Sequence, residues 1–171
     1  MSGNRIHSGR ATYALLLAAA MAGVTAAALT LLPWVVFDGP QVSLRWNGLG
    51  NYVGEHARYY GGEIDTVGAA GWIVLISSVL AVLALIGGTH LRRLWFLACG
   101  CAVIAVATPV LCLTFPALAV REVRDAVGFS AVDDRYLLNS GVLVAVAAAT
   151  SVLFVCAALI GPRQPQVAQD D

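Results

Sequence analysis

The residues able to do chemistry in this chain are few, and their placement argues against most reactions. Four cysteines stand at Cys99, Cys101, Cys112 and Cys156. All fall inside long uncharged stretches, away from the oxidising aqueous compartments where disulfides form. Cys99-Gly100-Cys101 lacks the Cys-x-x-Cys spacing of a redox pair. On a helix its two thiols point about 200° apart, because each residue turns the chain by about 100°. These cysteines read as small apolar packing residues. His7, His56 and His90 all lie outside the uncharged stretches, so two axial histidines for an intramembrane haem are missing. His56 with Glu55 and Glu63 is a candidate zinc trio within one loop, read here as a solvated polar segment. Ser77-Ser78 and Thr150-Ser151 fall mid-stretch with no histidine to activate them. Such hydroxyls bond to backbone carbonyls or across helices. Neither Gly-x-x-x-x-Gly-Lys nor Gly-x-Ser-x-Gly occurs. The expectation is a chain that is not an enzyme and holds no cofactor or metal.

The elements that carry these residues are set by charge. No Asp, Glu, Arg or His occurs in Ala11–Phe37, Thr66–Thr89, Leu94–Val120 or Tyr136–Pro162, stretches of 27, 24, 27 and 27 residues. About 20 apolar residues cross the roughly 30 Å hydrocarbon core as a helix. Of 171 residues, 59% are hydrophobic and 12% charged, half the share of an ordinary soluble domain. The fold class is an all-α membrane protein, a four-transmembrane-helix bundle forming one domain over residues 1–171. Its spans run over about 12–35, 67–87, 94–118 and 139–160, with outer loops at about 36–66 and 119–138. The first segment opens with Arg5 and Arg10, as a signal peptide would. Its 22-residue apolar run, Ala11–Leu32, exceeds a secretory h-region of about 7–15 and reads as a retained span. Pro109 and Pro116 predict a kink in the second half of span three. Gly161-Pro162 is the stop for span four.

Four spans put both termini and the short Gly88–Arg93 turn on one side. That side holds Arg5, Arg10, Arg92, Arg93 and Arg163; the other holds Arg45, Arg58, Arg121, Arg124 and Arg135. The count ties, but arginine density near the span ends favours a cytoplasmic location for the termini. The expected location is the bacterial cytoplasmic (inner) membrane, the bacterial source resting on the Ala-, Val-, Leu- and Gly-rich composition and the absence of Lys.

In the first outer loop, Val42, Leu44 and Trp46 alternate with Gln41, Ser43 and Arg45, a period-two strand pattern. Trp34–Phe37 can pair with it across Asp38-Gly39-Pro40, giving a small extracytoplasmic β-hairpin on the membrane surface. Trp46, Tyr52, Tyr59 and Tyr60 either anchor this loop at the interface or form a candidate partner-contact surface. In the second outer loop, Val120, Val123 and Val127 recur at i, i+3 and i+7, an amphipathic helix extending span three to about Gly128. Ser130 with Asp133 resembles a capping arrangement for the next helix. Ala19, Gly23 and Ala27 on span one, and Gly141, Ala145 and Ala149 on span four, repeat small residues every four positions and are candidate helix-packing stripes.

The layout resembles two families. Claudin-like four-helix proteins share the long first outer loop, the short inner turn and a Trp beside the exit from span one, here Trp34. Their Gly-Leu-Trp-Cys-Cys-type motif is met only by Trp46 and Asn47-Gly48-Leu49 in a different order, without cysteines. The actinobacterial tryptophan-biosynthesis-associated membrane proteins are similar at Pro33-Trp34-Val35 and the Arg92-Arg93 turn. Neither resemblance carries a functional residue to this chain.

No ionisable group stands within a span, whereas proton and ion pathways normally keep one there. Net charge is zero, so no long-range field attracts nucleic acid. The expected role is an accessory or scaffold component of a bacterial envelope complex. Its partners are the lipid bilayer and another membrane or envelope protein. The competing role is a small transporter or lipid-handling protein without a proton-coupling acid, with Ser77, Ser78, Thr108, Thr150 or Ser151 lining a polar cavity.

Overall fold

The computed structural model describes residues 3–39, 43–55, 65–66, 68–88, 91–127 and 133–161. Eight elements follow in chain order: α1 (Gly3–Leu29), β1 (Pro33–Asp38), β2 (Ser43–Asn47), α2 (Ala69–Gly88), α3 (Arg92–Thr114), α4 (Ala117–Val127), α5 (Asp134–Leu137) and α6 (Ser140–Ile160). Among the described residues, α1 from Arg10 onward, α2, α3 and α6 are long and apolar enough to cross a membrane. The protein is mostly helical, with four candidate spans and a small two-stranded antiparallel sheet.

Local chemistry sets where these helices stop. The first ends at Leu29, earlier than the expected residue 35. Pro33 lacks the N–H a helix would need and restricts the residue before it. Thr30 turns its hydroxyl back onto the Ala27 carbonyl at 2.7 Å, and the chain enters β1. At its other end α1 reaches back to Gly3, beyond the expected start at residue 12. In α3 the helix runs unbroken through the buried Pro109 to Thr114, rather than to residue 118. Phe115 then leaves helical geometry ahead of Pro116, and α4 begins at once. Asn139 caps α6, its Oδ1 accepting from the Val142 N–H at 3.4 Å. Asp133 caps the short α5 by accepting from the Arg135 N–H; Ser130 lies outside the described residues.

Helix α1 packs on α2 and α6, and α3 packs on the same two. Small residues make this contact close. Ala19, Ala22, Ala81, Ala84, Ala98, Ala102 and Ala157 are all buried, with Leu85, Leu153 and Ile160 filling the spaces. A second cluster gathers Trp34, Val74, Cys112, Leu143 and Val146 beneath the sheet. At the opposite end the Trp95 indole N–H donates to the Ala157 carbonyl at 2.8 Å, tying α3 to α6.

The packing stripes divide. Ala19 and Gly23 are buried and Ala27 is half-buried; a Cβ on Gly23 would collide with Val82. Gly141 and Ala145 are exposed and Ala149 is half-buried. The face α6 turns inward is Leu143, Val146, Thr150 and Leu153. Ala145 stands about 200° around the helix from Leu143, so the second stripe misses the intramolecular contact.

Candidate functional site

A compact cap sits where the C-termini of α1 and α3 meet the N-termini of α2 and α6. Its sheet is the antiparallel pair expected of the first loop, and the register joins Phe37 to Leu44, Val36 to Arg45 and Val35 to Trp46. An irregularity between Pro33 and Val35 breaks the register. That lets Trp34 join the helix core while Val35 joins the cap. The Trp34 indole N–H donates to the Leu29 carbonyl at 3.1 Å, fixing the ring over the end of α1. The cap core consists of Val35, Trp46, Tyr52, Val120, Val123 and Leu137. Val120 and Val123 are two of the three valines whose spacing predicts an amphipathic helix.

Two expected contact residues change role here. Trp46 is fully buried and Tyr52 nearly so, with their rings edge to face at 5.5 Å. They hold the cap together and offer no surface to a partner. Loop position suggested exposure, but covering residues arrive from α4 and α5, far along the chain. Tyr59 and Tyr60 lie outside the described residues, as do His56 and Glu63 of the candidate zinc trio. Among the described residues no three or more His, Cys, Asp or Glu side chains converge on a metal-sized site. The four cysteines are free; Cys101, Cys112 and Cys156 are buried and Cys99 is half-buried.

Both edges of the sheet are occupied. On the β1 side, Val35 bridges Leu138, and the Asn139 N–H donates to the Trp34 carbonyl at 2.8 Å. The Asn139 Nδ2 donates to the Pro33 carbonyl at 3.0 Å, joining residues 106 positions apart. On the β2 side, Trp46 bridges Tyr52, and the Val53 N–H donates to the Arg45 carbonyl at 2.8 Å. Paired edges do not recruit stray strands.

The long first loop leaves and returns through a narrow neck. The Thr66 N–H donates to the Gly50 carbonyl at 2.9 Å and the Gly68 N–H to the Leu49 carbonyl at 3.1 Å. Asp65 Oδ1 accepts from the Tyr52 N–H at 2.7 Å. Gly50 has φ +91°, a conformation that favours glycine. Gly71, in the first turn of α2, lies so close to Gly48 that a Cβ there would overlap the Gly48 carbonyl. The neck is therefore seated directly on the α2 backbone. The Tyr52 hydroxyl donates to the Glu55 carbonyl at 2.9 Å. Burial, and then the Glu55 charge, raises the Tyr52 pKa above its ordinary value.

Between neck, sheet and α4 lies a cavity of about 20 Å³, lined by Trp34, Asn47, Ala69, Ala70, Ala119 and Glu122 among others. Four of the five hydroxyls named for a mid-membrane path are bonded to carbonyls of their own helices. Ser77 donates to the Ile73 carbonyl and Thr108 to the Ile104 carbonyl. Thr150 donates to the Val146 carbonyl and Ser151 to the Ala147 carbonyl. Ser78 Oγ is buried with no hydrogen-bond partner among the described residues. Neither a family model, a curated protein nor a solved structure matches the chain.

Proposed function

We propose that this chain is a non-catalytic accessory or scaffold component of a bacterial envelope complex. In this reading a four-helix bundle sits in the cytoplasmic membrane with both termini inside and the cap outside. The partner is another membrane or envelope protein. The observation that supports it best is the cap itself. The covered sheet edges, glycine-seated neck and aromatic core make a preorganised platform, and rigid platforms lose little entropy on association. Its exposed side offers Tyr136, 84% accessible, beside the exposed Arg135, with Arg121 and Asp125 on α4. Aromatic and arginine side chains are those enriched at protein contacts. The claudin-like layout, two loops gathered on one side of four helices, fits the same role.

Affinity purification from the native membrane in mild detergent, with mass spectrometry, tests this. The expectation is a stoichiometric protein partner that Tyr136→Ala with Arg135→Ala removes without lowering membrane insertion. Recovery of the protein alone would sink the reading.

The second reading is a small transporter or lipid-handling protein without a proton-coupling acid. The Ser78 hydroxyl of α2, buried and with no hydrogen-bond partner among the described residues, is what favours it. Against it, the other named hydroxyls are bonded to their own helices.

A further inference from the structure

We propose that the outward face of α3, from Arg92 and Arg93 to Gly100, binds an anionic phospholipid in the leaflet on the side of the termini. The inference depends on the protein spanning a bilayer and not on its having a protein partner.

Charge is the first observation. Among the described residues every Asp and Glu lies in the sheet, the first loop, α4 or the start of α5, all at the cap end. The opposite end carries Arg92 and Arg93 side by side, both exposed and without an ion pair among the described residues. They stand at the end of a candidate span, the level at which headgroup phosphates lie. A guanidinium fork matches phosphate oxygens in both charge and shape.

The surface beyond the arginines is the second observation. Phe96 and Leu97 follow Arg93 at i+3 and i+4, so the three share a helix face. Phe96, Leu97 and Ile104 are each more than half exposed. Between Leu97 and Ile104, Gly100 faces outward, and a Cβ built on it meets nothing within 4 Å. Gly23, Gly71 and Gly161, by contrast, each lie where a Cβ would run into a neighbour. A glycine weakens a helix interior relative to alanine, and internal packing gives Gly100 no reason to be one. Its missing side chain leaves a notch in the apolar face. The Phe96 ring beside it is held edge to face against Trp95 at 4.7 Å, and Trp95 is tied to the Ala157 carbonyl.

Head and tail together select the ligand. Arg93 and Gly100 stand about 10 Å apart along the helix, within the roughly 15 Å from headgroup to bilayer midplane. A phosphate held by the arginines therefore lays its acyl chain along the notch within one leaflet. A soluble phosphate would use the arginines and leave the notch empty. A zwitterionic lipid would fill the notch and bring its own cation against the arginines. A lipid with a net negative head satisfies both.

Retention of lipids by the purified full chain in mild detergent, read by native mass spectrometry, tests this independently of membrane orientation. Phosphatidylglycerol and phosphatidylcholine with identical acyl chains share the phosphate and differ in net charge. The expectation is roughly a tenfold preference for phosphatidylglycerol, a few-fold from each arginine. Arg92→Gln with Arg93→Gln should abolish the preference. Gly100→Leu fills the notch without meeting a neighbour and should lower phosphatidylglycerol retention severalfold. Equal retention of the two lipids by the native chain overturns the proposal. So does undiminished phosphatidylglycerol retention in either variant at native helix content. Displacement of phosphatidylglycerol by soluble glycerol phosphate also overturns it, because the arginines would then serve a free phosphate without the notch.

Discussion

At the scale of single residues, Asn139 does the most with one side chain. It caps α6 and reaches Pro33 across the sequence. Asn139→Ala removes a cap worth about 1 kcal/mol and orphans a carbonyl at a cost of about 1–3 kcal/mol. Thermal unfolding in detergent should show Asn139→Ala clearly destabilised, with Asn139→Asp between it and the native chain because it can still cap. Ser78→Ala should behave oppositely. It deletes a buried hydroxyl that has no partner among the described residues, so stability should hold or rise by up to about 1 kcal/mol; a marked loss would reveal a bond to Ser78 that matters. Tyr52 supplies a pH dependence. Its folded pKa is raised above the unfolded value of about 10, so the protonated phenol is favoured in the folded cap. The associated stability is complete below pH about 10 and lost as pH rises through the folded value. Thermal unfolding measured across alkaline pH should show a loss of stability in the native chain that is smaller in Tyr52→Phe.

At the scale of elements, α4 is the lid of the cap. Val120 and Val123 are its buried face, while the Arg121–Asp125 pair at 3.8 Å is exposed and contributes little. Val123→Asp places a carboxylate against Val35 and Trp46, at a cost of about 3 kcal/mol or more. Trypsin should then cut rapidly at the cap arginines while helix content is preserved, and unchanged resistance would mean that the cap is not a packed unit. The α4 face was legible because valines at helical spacing interleave with charges, a local pattern. The four apolar helices and the hairpin were legible for the same reason. The break at Phe115 was not, because two prolines announce a disturbance without saying which of them ends the helix. Pro109 is accommodated within α3, and Pro116 begins a new helix where it needs no N–H partner. The burial of Trp46 and Tyr52 was hidden for a different reason. It depends on Val120, Val123 and Leu137, some 70 to 90 residues later, and no local window contains that contact.

At the scale of the whole molecule, orientation is the property on which the proposed role depends, and the expectation of cytoplasmic termini rests on a narrow margin in arginine placement. Five arginines stand on each side, so the bias rests on crowding: Arg92 and Arg93 lie beside a turn of few residues, whereas Arg45 and Arg58 are diluted in a long loop. Charges close to span ends act most strongly on topology. The cysteines make a direct measurement possible. All four lie within the candidate spans and three are buried, so the native chain should label weakly with a membrane-impermeant maleimide. Asp38→Cys adds an exposed thiol on the cap, and Leu91→Cys adds one in the short turn at the other end. In intact cells Asp38→Cys should label and Leu91→Cys should label only after permeabilisation. The reverse pattern would place the cap in the cytoplasm and remove the outward-facing platform on which an envelope partner is proposed to bind. Replacing Arg92 and Arg93 together with Ala leaves three arginines on the side of the termini, against five on the side of the cap. If crowding at the turn sets the orientation, that double variant should yield a mixed population, with Asp38→Cys labelled only in part. Full labelling in the double variant would mean that the N-terminal arginines suffice.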